Sequence, residues 1–244
     1  NTGLNANGEA HVAWNWKANG SGSANTNGSI TSTVSANTDA GFSIATWTAG
    51  DSDETIGHGL SKAPEVVIIK KRNTTGNWAS HWTPITTTNK QLYLNLTNAV
   101  DTNNISNIGS STFRASGWSD VSNAGDSYVA YCFHSVDGYS KVGSYSGNSN
   151  ADGTFVYTGF RPEFILLKAH NSAEPWAILD SARDTYNQAG KYLTPNSSAV
   201  EGTGYNMDFL SNGFKLRGNI GAINTDGYIY MAFAETPFKY SNAR

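Results

Sequence analysis

Apolar residues in this chain come in short blocks separated by long polar stretches of Asn, Gly, Ser and Thr. Val66–Ile69 and Phe164–Leu167 are continuous runs of β-formers, each with a proline just upstream, where proline starts a strand and does not interrupt one. Each run ends at a lysine (Lys70, Lys168) and passes through a polar turn to a tryptophan (Trp78, Trp176). That pattern predicts a β-hairpin in both places. Tyr128–Phe133 and Tyr228–Phe233 are again continuous, as expected of central strands covered on both faces. Helical periodicity is sustained nowhere; the best stretch, Asp180–Tyr186, predicts a turn or two at most.

The blocks repeat. Pro64, Lys70 and Trp78 have counterparts in Pro162, Lys168 and Trp176, each 98 residues later. Phe42–Trp47 lies opposite Ser140–Tyr145 at the same offset, and Tyr128–Phe133 opposite Tyr228–Phe233 at 100. The offset drifts only in polar stretches, where insertions are tolerated. A repeat of this length is a duplicated domain and not a solenoid unit. The prediction is therefore an all-β protein of two tandem antiparallel β-sandwiches, of about six or seven strands each, over 41–137 and 138–244. A pair of small β-barrels is the structural alternative. Within 1–40, Ala10–Lys17 reads as a strand: either the closing strand of a further unit upstream, to judge from His11–Trp14 beside Tyr128–Tyr131, or an unrelated strand that pairs onto the first sandwich. Residues 18–40 read as an extended linker or irregular arm.

Composition narrows the function. Charged residues are 14%, against a usual quarter or so (about 25%). The net charge of −3 and the scattered basic residues leave no electrostatic footprint for nucleic acid. No apolar run is long enough to span a bilayer, and Asn1-Thr2-Gly3 has no signal-peptide character. The single Cys132 lies within an apolar run and reads as a small buried hydrophobe.

No converging catalytic constellation is visible, so no catalytic residue, metal or cofactor is assigned. The five histidines lack metal-ligand spacing. His58, between two glycines, reads as a turn residue capping a strand end. Glu65 and Glu163 recur with the same neighbours, which favours a strand-start carboxylate bonded to backbone or Arg over a catalytic acid. Asp180, Arg183 and Asp184 belong to the second copy alone and read as an ion-pair cluster closing a loop, with an acid site for a sugar as the alternative. Asp152, Asp208 and Asp226 invite calcium without any recognised calcium motif. Binding has more support. Seven Trp and 12 Tyr set among amides and hydroxyls suit a glycan, whose C–H face stacks on a ring while its hydroxyls meet polar groups. Trp47, Trp82 and Trp118 are the candidates, because the second copy keeps no Trp at any of them; Trp78 and Trp176 are kept and read as packing.

Several phrases are distinctive: "NTNGSITSTVSANTDAGFSIATWT" from Asn25, "GHGLSKAPEVVIIK" from Gly57, "YVAYCFHSVDGYSKVGSY" from Tyr128, "DSARDTYN" from Asp180 and "YIYMAFAETPFKYSNAR" from Tyr228. In these the chain resembles the C-terminal region of uncharacterised marine-bacteriophage proteins assigned to tails or other virion appendages, in which a concanavalin-like, laminin-G-type domain often lies upstream. The resemblance implies a virion structural protein, with portions missing before Asn1 and a native ending at Asn242-Ala243-Arg244. It also implies other virion proteins as partners, a host-surface glycan as ligand and, by analogy, a trimer. A tail-associated glycan depolymerase acting through Asp180, Asp184 or Asp208, and a decoration protein without ligand, are the alternatives.

Overall fold

The computed structural model describes residues 7–8, 10–51, 53–85, 90–102 and 105–236, and these are all-β. The first unit comprises β1 (Ser23–Asn25), β2 (Ser32–Asn37), β3 (Phe42–Thr48), β4 (Asp53–Gly57), β5 (Val66–Lys71), β6 (Trp78–Trp82), β7 (Lys90–Tyr93), β8 (Asp101–Thr102), β9 (Ile105–Ser106), β10 (Thr112–Ser116) and β11 (Ser127–Phe133). The second comprises β12 (Ser140–Ser146), β13 (Phe155–Tyr157), β14 (Pro162–Ala169), β15 (Ala177–Asp180), β16 (Ala189–Tyr192), β17 (Gly202–Leu210), β18 (Gly213–Leu216) and β19 (Gly227–Ala234).

Each unit is two packed antiparallel sheets. In the first unit an eight-stranded sheet, β1-β2-β3-β11-β5-β6-β7-β8, lies over the three-stranded β4-β10-β9; in the second, both sheets have four strands, β12-β19-β14-β15 over β13-β18-β17-β16. The order β3-β11-β5-β6 in the first unit is thus β12-β19-β14-β15 in the second, strand for strand. The hairpins predicted from the proline-led runs are β5–β6 and β14–β15. The lysine closing each run folds back on its own turn. Lys70 Nζ donates to the Lys71 carbonyl (2.7 Å), and Lys168 Nζ donates to the carbonyls of Ala169 (2.5 Å) and Ser172 (3.1 Å).

Alternation along the central strands decides the packing. Val67 and Ile69 turn into the core between the first unit's sheets, with Ala130 and Cys132; Val66 and Ile68 turn the other way. Ile165 and Leu167 enter the second unit's core with Tyr228 and Tyr230, while Phe164 and Leu166 turn outward with Ile229 and Met231. Those two outward sets meet in a third apolar layer, a seam between the eight-stranded sheet and β12-β19-β14-β15. The molecule is a stack of four sheets, and sheets pack about 10 Å apart. Polar links cross the seam as well: the Trp176 indole N–H donates to the Tyr93 carbonyl (2.9 Å), and the Val100 N–H to the His170 carbonyl (2.9 Å).

Two expectations for the N-terminal part are corrected. Residues 18–40 are not a linker, because β1 and β2 extend the eight-stranded sheet beyond β3. Their Ser/Thr-rich composition resembles a linker, yet Ser32 and Val34 are buried and Ser32 Oγ donates to the Gly57 carbonyl (2.9 Å). Residues 10–17 form no strand. The apolar–polar alternation there instead turns Trp14 and Trp16 onto the rim of the seam. The Trp16 ring centroid lies 5.6 Å from Phe164 and 5.3 Å from Phe233, and Trp14 lies 5.4 Å from Phe164. Burying indole surface replaces the ladder as the driving force, and β2 side chains hold the backbone: Asn37 Nδ2 donates to the Lys17 carbonyl (3.1 Å). Asp180–Tyr186 is a turn, and its predicted helical turns do not form.

Candidate functional site

The three candidate tryptophans go to different places. Trp47 is buried in the first unit's core, stacked on its cross-strand partner Tyr128 at 5.4 Å. Trp82 is completely buried in the seam, 5.6 Å from Trp176, with its indole N–H donated to Ser80 Oγ (3.0 Å). Neither ring is open to a ligand, which corrects both assignments. At Trp47 the second copy carries Tyr145, stacked on Tyr228 at 4.9 Å, so the place is an aromatic pair in both units. Trp118 is 54% exposed in the loop between β10 and β11. Trp78 and Trp176 pack in the seam, as their repetition suggested.

The acidic candidates are spent on structure. Asp180 is buried, and both its oxygens accept from Arg183: Oδ1 from the backbone N–H (2.8 Å), Oδ2 from Nε (2.5 Å). Arg183 also donates to Glu201 Oε2 (2.7 Å), and Asp184 Oδ2 accepts from the Gly190 N–H (2.7 Å). The group closes a loop. Arg217 Nε donates to Asp208 (2.6 Å), Lys215 lies 2.8 Å from Asp152, and Asp226 accepts from the Gly227 N–H (2.6 Å). Among the described residues no three His, Cys, Asp or Glu groups gather as a metal site would require. His58 is buried; its Nδ1 accepts from the Leu60 N–H (3.1 Å), and its Nε2 lies 3.2 Å from the Gly109 carbonyl. Glu65 accepts from the Ser135 backbone N–H, the role expected of a strand-start carboxylate.

What the structure does assemble lies at the mouth of the seam. A cleft of about 380 Å³ is lined by Val12, Trp14 and Trp16 of the N-terminal segment and by Tyr139, Glu163, Phe164, Asp180 and Phe233 of the second unit. The Arg183 guanidinium sits 5.7 Å from the Trp14 ring centroid, so the residue that clamps Asp180 also steadies the indole. Partial burial, then the nearby charges of Glu235 and Asp180, push the Glu163 carboxyl up from its usual range. The cleft thus offers two half-buried indoles, a phenol and one carboxylate not committed to Arg183. Rings of this kind cover the C–H face of a sugar, and such oxygens receive its hydroxyls.

Trp14 and Trp16 are not among the candidates read from the sequence, and Glu163 enters there only as a strand-start carboxylate. The dyad Trp14-Asn15-Trp16 lies outside both repeats and was available as a signal. Glu163 was set aside because Glu65 repeats it, but the two carboxylates have different surroundings. Glu65 serves the backbone of the segment joining the units, whereas Glu163 faces the cleft.

Fold and cleft together define a stacked double β-sandwich with an aromatic and acidic recess where its N-terminal segment meets the second unit. The chain belongs to the DUF7483 family, a domain of unknown function, whose model matches residues 1–237. That span takes in the N-terminal segment and both sandwiches. No curated protein and no solved structure matches the chain. Among the described residues no helix is long and apolar enough to cross a membrane.

Proposed function

We propose that this protein is a rigid structural module of a bacteriophage virion appendage, in a tail fibre, tail tip or surface decoration, and that it holds a host-surface glycan in the cleft at the mouth of its seam. The virion assignment rests on the resemblance of the long phrases given above. The glycan assignment rests on one observation, the two indoles and the uncommitted Glu163 carboxylate around a single recess. A low-charge surface of amides and hydroxyls suits contact with sugars, and weak single sites gain strength when many copies act on one particle.

A depolymerase is the second reading, favoured by the raised Glu163 carboxyl beside Asp180. Glycoside hydrolysis uses two carboxylates in separate roles, and Arg183 already holds both oxygens of Asp180. Binding is therefore the better supported.

Incubation with host polysaccharide tests both. Retention without a fall in polymer length supports binding, and Trp14→Ala lowers that retention about tenfold, the loss of roughly 1.4 kcal/mol of contact. Shortening of the polymer, abolished by Glu163→Gln, supports the depolymerase. Retention lost with Trp118→Ala but kept with Trp14→Ala moves the site to the β10–β11 loop and overturns the cleft. No retention at all leaves a scaffold.

A further inference from the structure

The two sandwiches differ at one flank. In the first unit, β3 is covered on its outer side by β2: Ile44 pairs with Ser35 and Thr46 with Thr33. The counterparts of Ile44 and Thr46 in the second unit are Val142 and Ser144 on β12, the edge strand of its sheet. Only a short connection joins β11 to β12, so the second unit has no hairpin of its own to cover this edge.

The hydrogen bonds at the ends of β12 show which groups point outward. The Ala234 N–H donates to the Tyr139 carbonyl and the Gly147 N–H to the Asp226 carbonyl. Odd-numbered residues therefore bond to β19, and even-numbered residues present their N–H and C=O to the open side. Some of these are taken: Ser140 bonds both ways with Val136, the Val142 N–H donates to Ser135 Oγ (2.9 Å), and the Ser146 carbonyl accepts from Thr154 Oγ1 (2.7 Å). Among the described residues, the groups left without a partner are the Val142 carbonyl, the Ser144 N–H and carbonyl, and the Ser146 N–H.

That set is self-complementary. With a two-fold axis at Ser144, each Ser144 N–H donates to the other Ser144 carbonyl, and each Ser146 N–H donates to the other Val142 carbonyl. In that pairing the Val142 N–H faces the other copy's Ser146 carbonyl, so the Ser135 and Thr154 hydroxyls that hold these two groups have to turn aside as the edges meet. Open edges are usually blunted by lysine, proline or a bulge; β12 carries one exposed lysine, Lys141, near its start, and Val142-Gly143-Ser144-Tyr145-Ser146 beyond it contains no charge and no proline. The adjoining edge strand, β13, carries Phe155 and Tyr157 exposed on the same flank.

We infer that β12 is the site at which a second copy of this chain docks, β12 against β12, antiparallel about Ser144, joining the two four-stranded sheets into one. The contact is isologous, so it closes as a dimer.

Sedimentation of the intact chain over roughly 1–100 µM tests this. A dimer is expected, and Ser144→Pro, which removes only an outward N–H, converts it to monomer with an unchanged β spectrum. Ser144→Cys gives a second readout that does not depend on the proline variant folding. Facing residues in such a pair lie about 5.5 Å apart, so a short bis-maleimide links two copies through position 144 but not through Ser110→Cys. Cys132 is buried and does not compete. A monomer throughout the concentration range with no crosslink at 144, a trimer, or a dimer that survives Ser144→Pro overturns the inference. None of these outcomes depends on whether the cleft binds glycan.

Discussion

Trp47 and Tyr145 occupy the same place in the two sandwiches and do the same work, stacking on the tyrosine opposite. By residue identity Trp47 is special to one copy; by shape the place is aromatic in both. Trp82 is different, since its counterpart is Asp180, the acid clamped by Arg183. One place on the outward face is filled with an indole where the seam is closed and with a carboxylate where it opens. Trp82→Ala is expected to cost about 3–5 kcal/mol, read from denaturant midpoints, whereas Trp118→Ala stays within roughly 0.5 kcal/mol. Equal losses for the two would contradict the burial of Trp82. The histidines contribute to acid sensitivity. Burial holds the His81 imidazole down to about 4, and desolvation lowers His58, His134 and His170 as well. Unfolded imidazoles take up protons near pH ~6.5, so between there and about 4 the unfolded chain binds protons that folded His81 refuses. This stability is fully present above the unfolded value and is lost as pH falls through the folded one. Urea midpoints are therefore lower at about pH 4.5 than at about pH 7.5. A His81 imidazole resonance titrating near pH ~6.5 in the folded protein would remove this group from the account.

At the scale of elements, the proline-led hairpins and the central strands were legible because local periodicity, flanking proline and polar turns all agreed. The β1–β2 hairpin was not legible, since Ser, Thr, Asn and Gly serve equally in linkers and in edge strands. Its place is set by what it touches. The Ser29 N–H donates to Thr55 Oγ1 (2.8 Å) and the Thr55 N–H to Ser29 Oγ (2.9 Å), which ties the hairpin turn to β4. Gly28 makes this approach possible, because a Cβ there would lie 2.1 Å from the Thr55 carbonyl oxygen. Gly28→Ala is expected to cost about 1–3 kcal/mol by forcing the turn off β4. At Gly109 an added Cβ meets only the Thr112 carbonyl oxygen at 3.5 Å, an ordinary contact, so Gly109→Ala serves as the control. A Gly28→Ala variant as stable as that control would show that the hairpin does not rest on β4.

The whole molecule is held as one body by the seam. Its buried members include Trp82, Trp176, Phe133, Phe164, Met231 and Phe233. Parting the units would expose all of these to water at roughly 25 cal/mol for each Å² of apolar surface. Calorimetry should accordingly give one transition with equal calorimetric and van't Hoff enthalpies. Two resolved transitions would mean that the seam couples the units too weakly to act as one. The recess at the seam's rim could not be found by scanning either repeat, because its walls come from the N-terminal segment and the second unit together.

By itself the sequence determined that the chain is all-β, that one sandwich was copied into two, and that the shared prolines, lysines and Trp176 serve architecture. These follow from periodicity and spacing, which are local properties of a strand. Tertiary structure alone decided what covers the second face of each central strand, which tryptophans are buried, and where the N-terminal segment lies. A strand apolar on both sides announces that something must cover it, but the covering surface is a distant part of the chain, and only the packed sheets show which part that is.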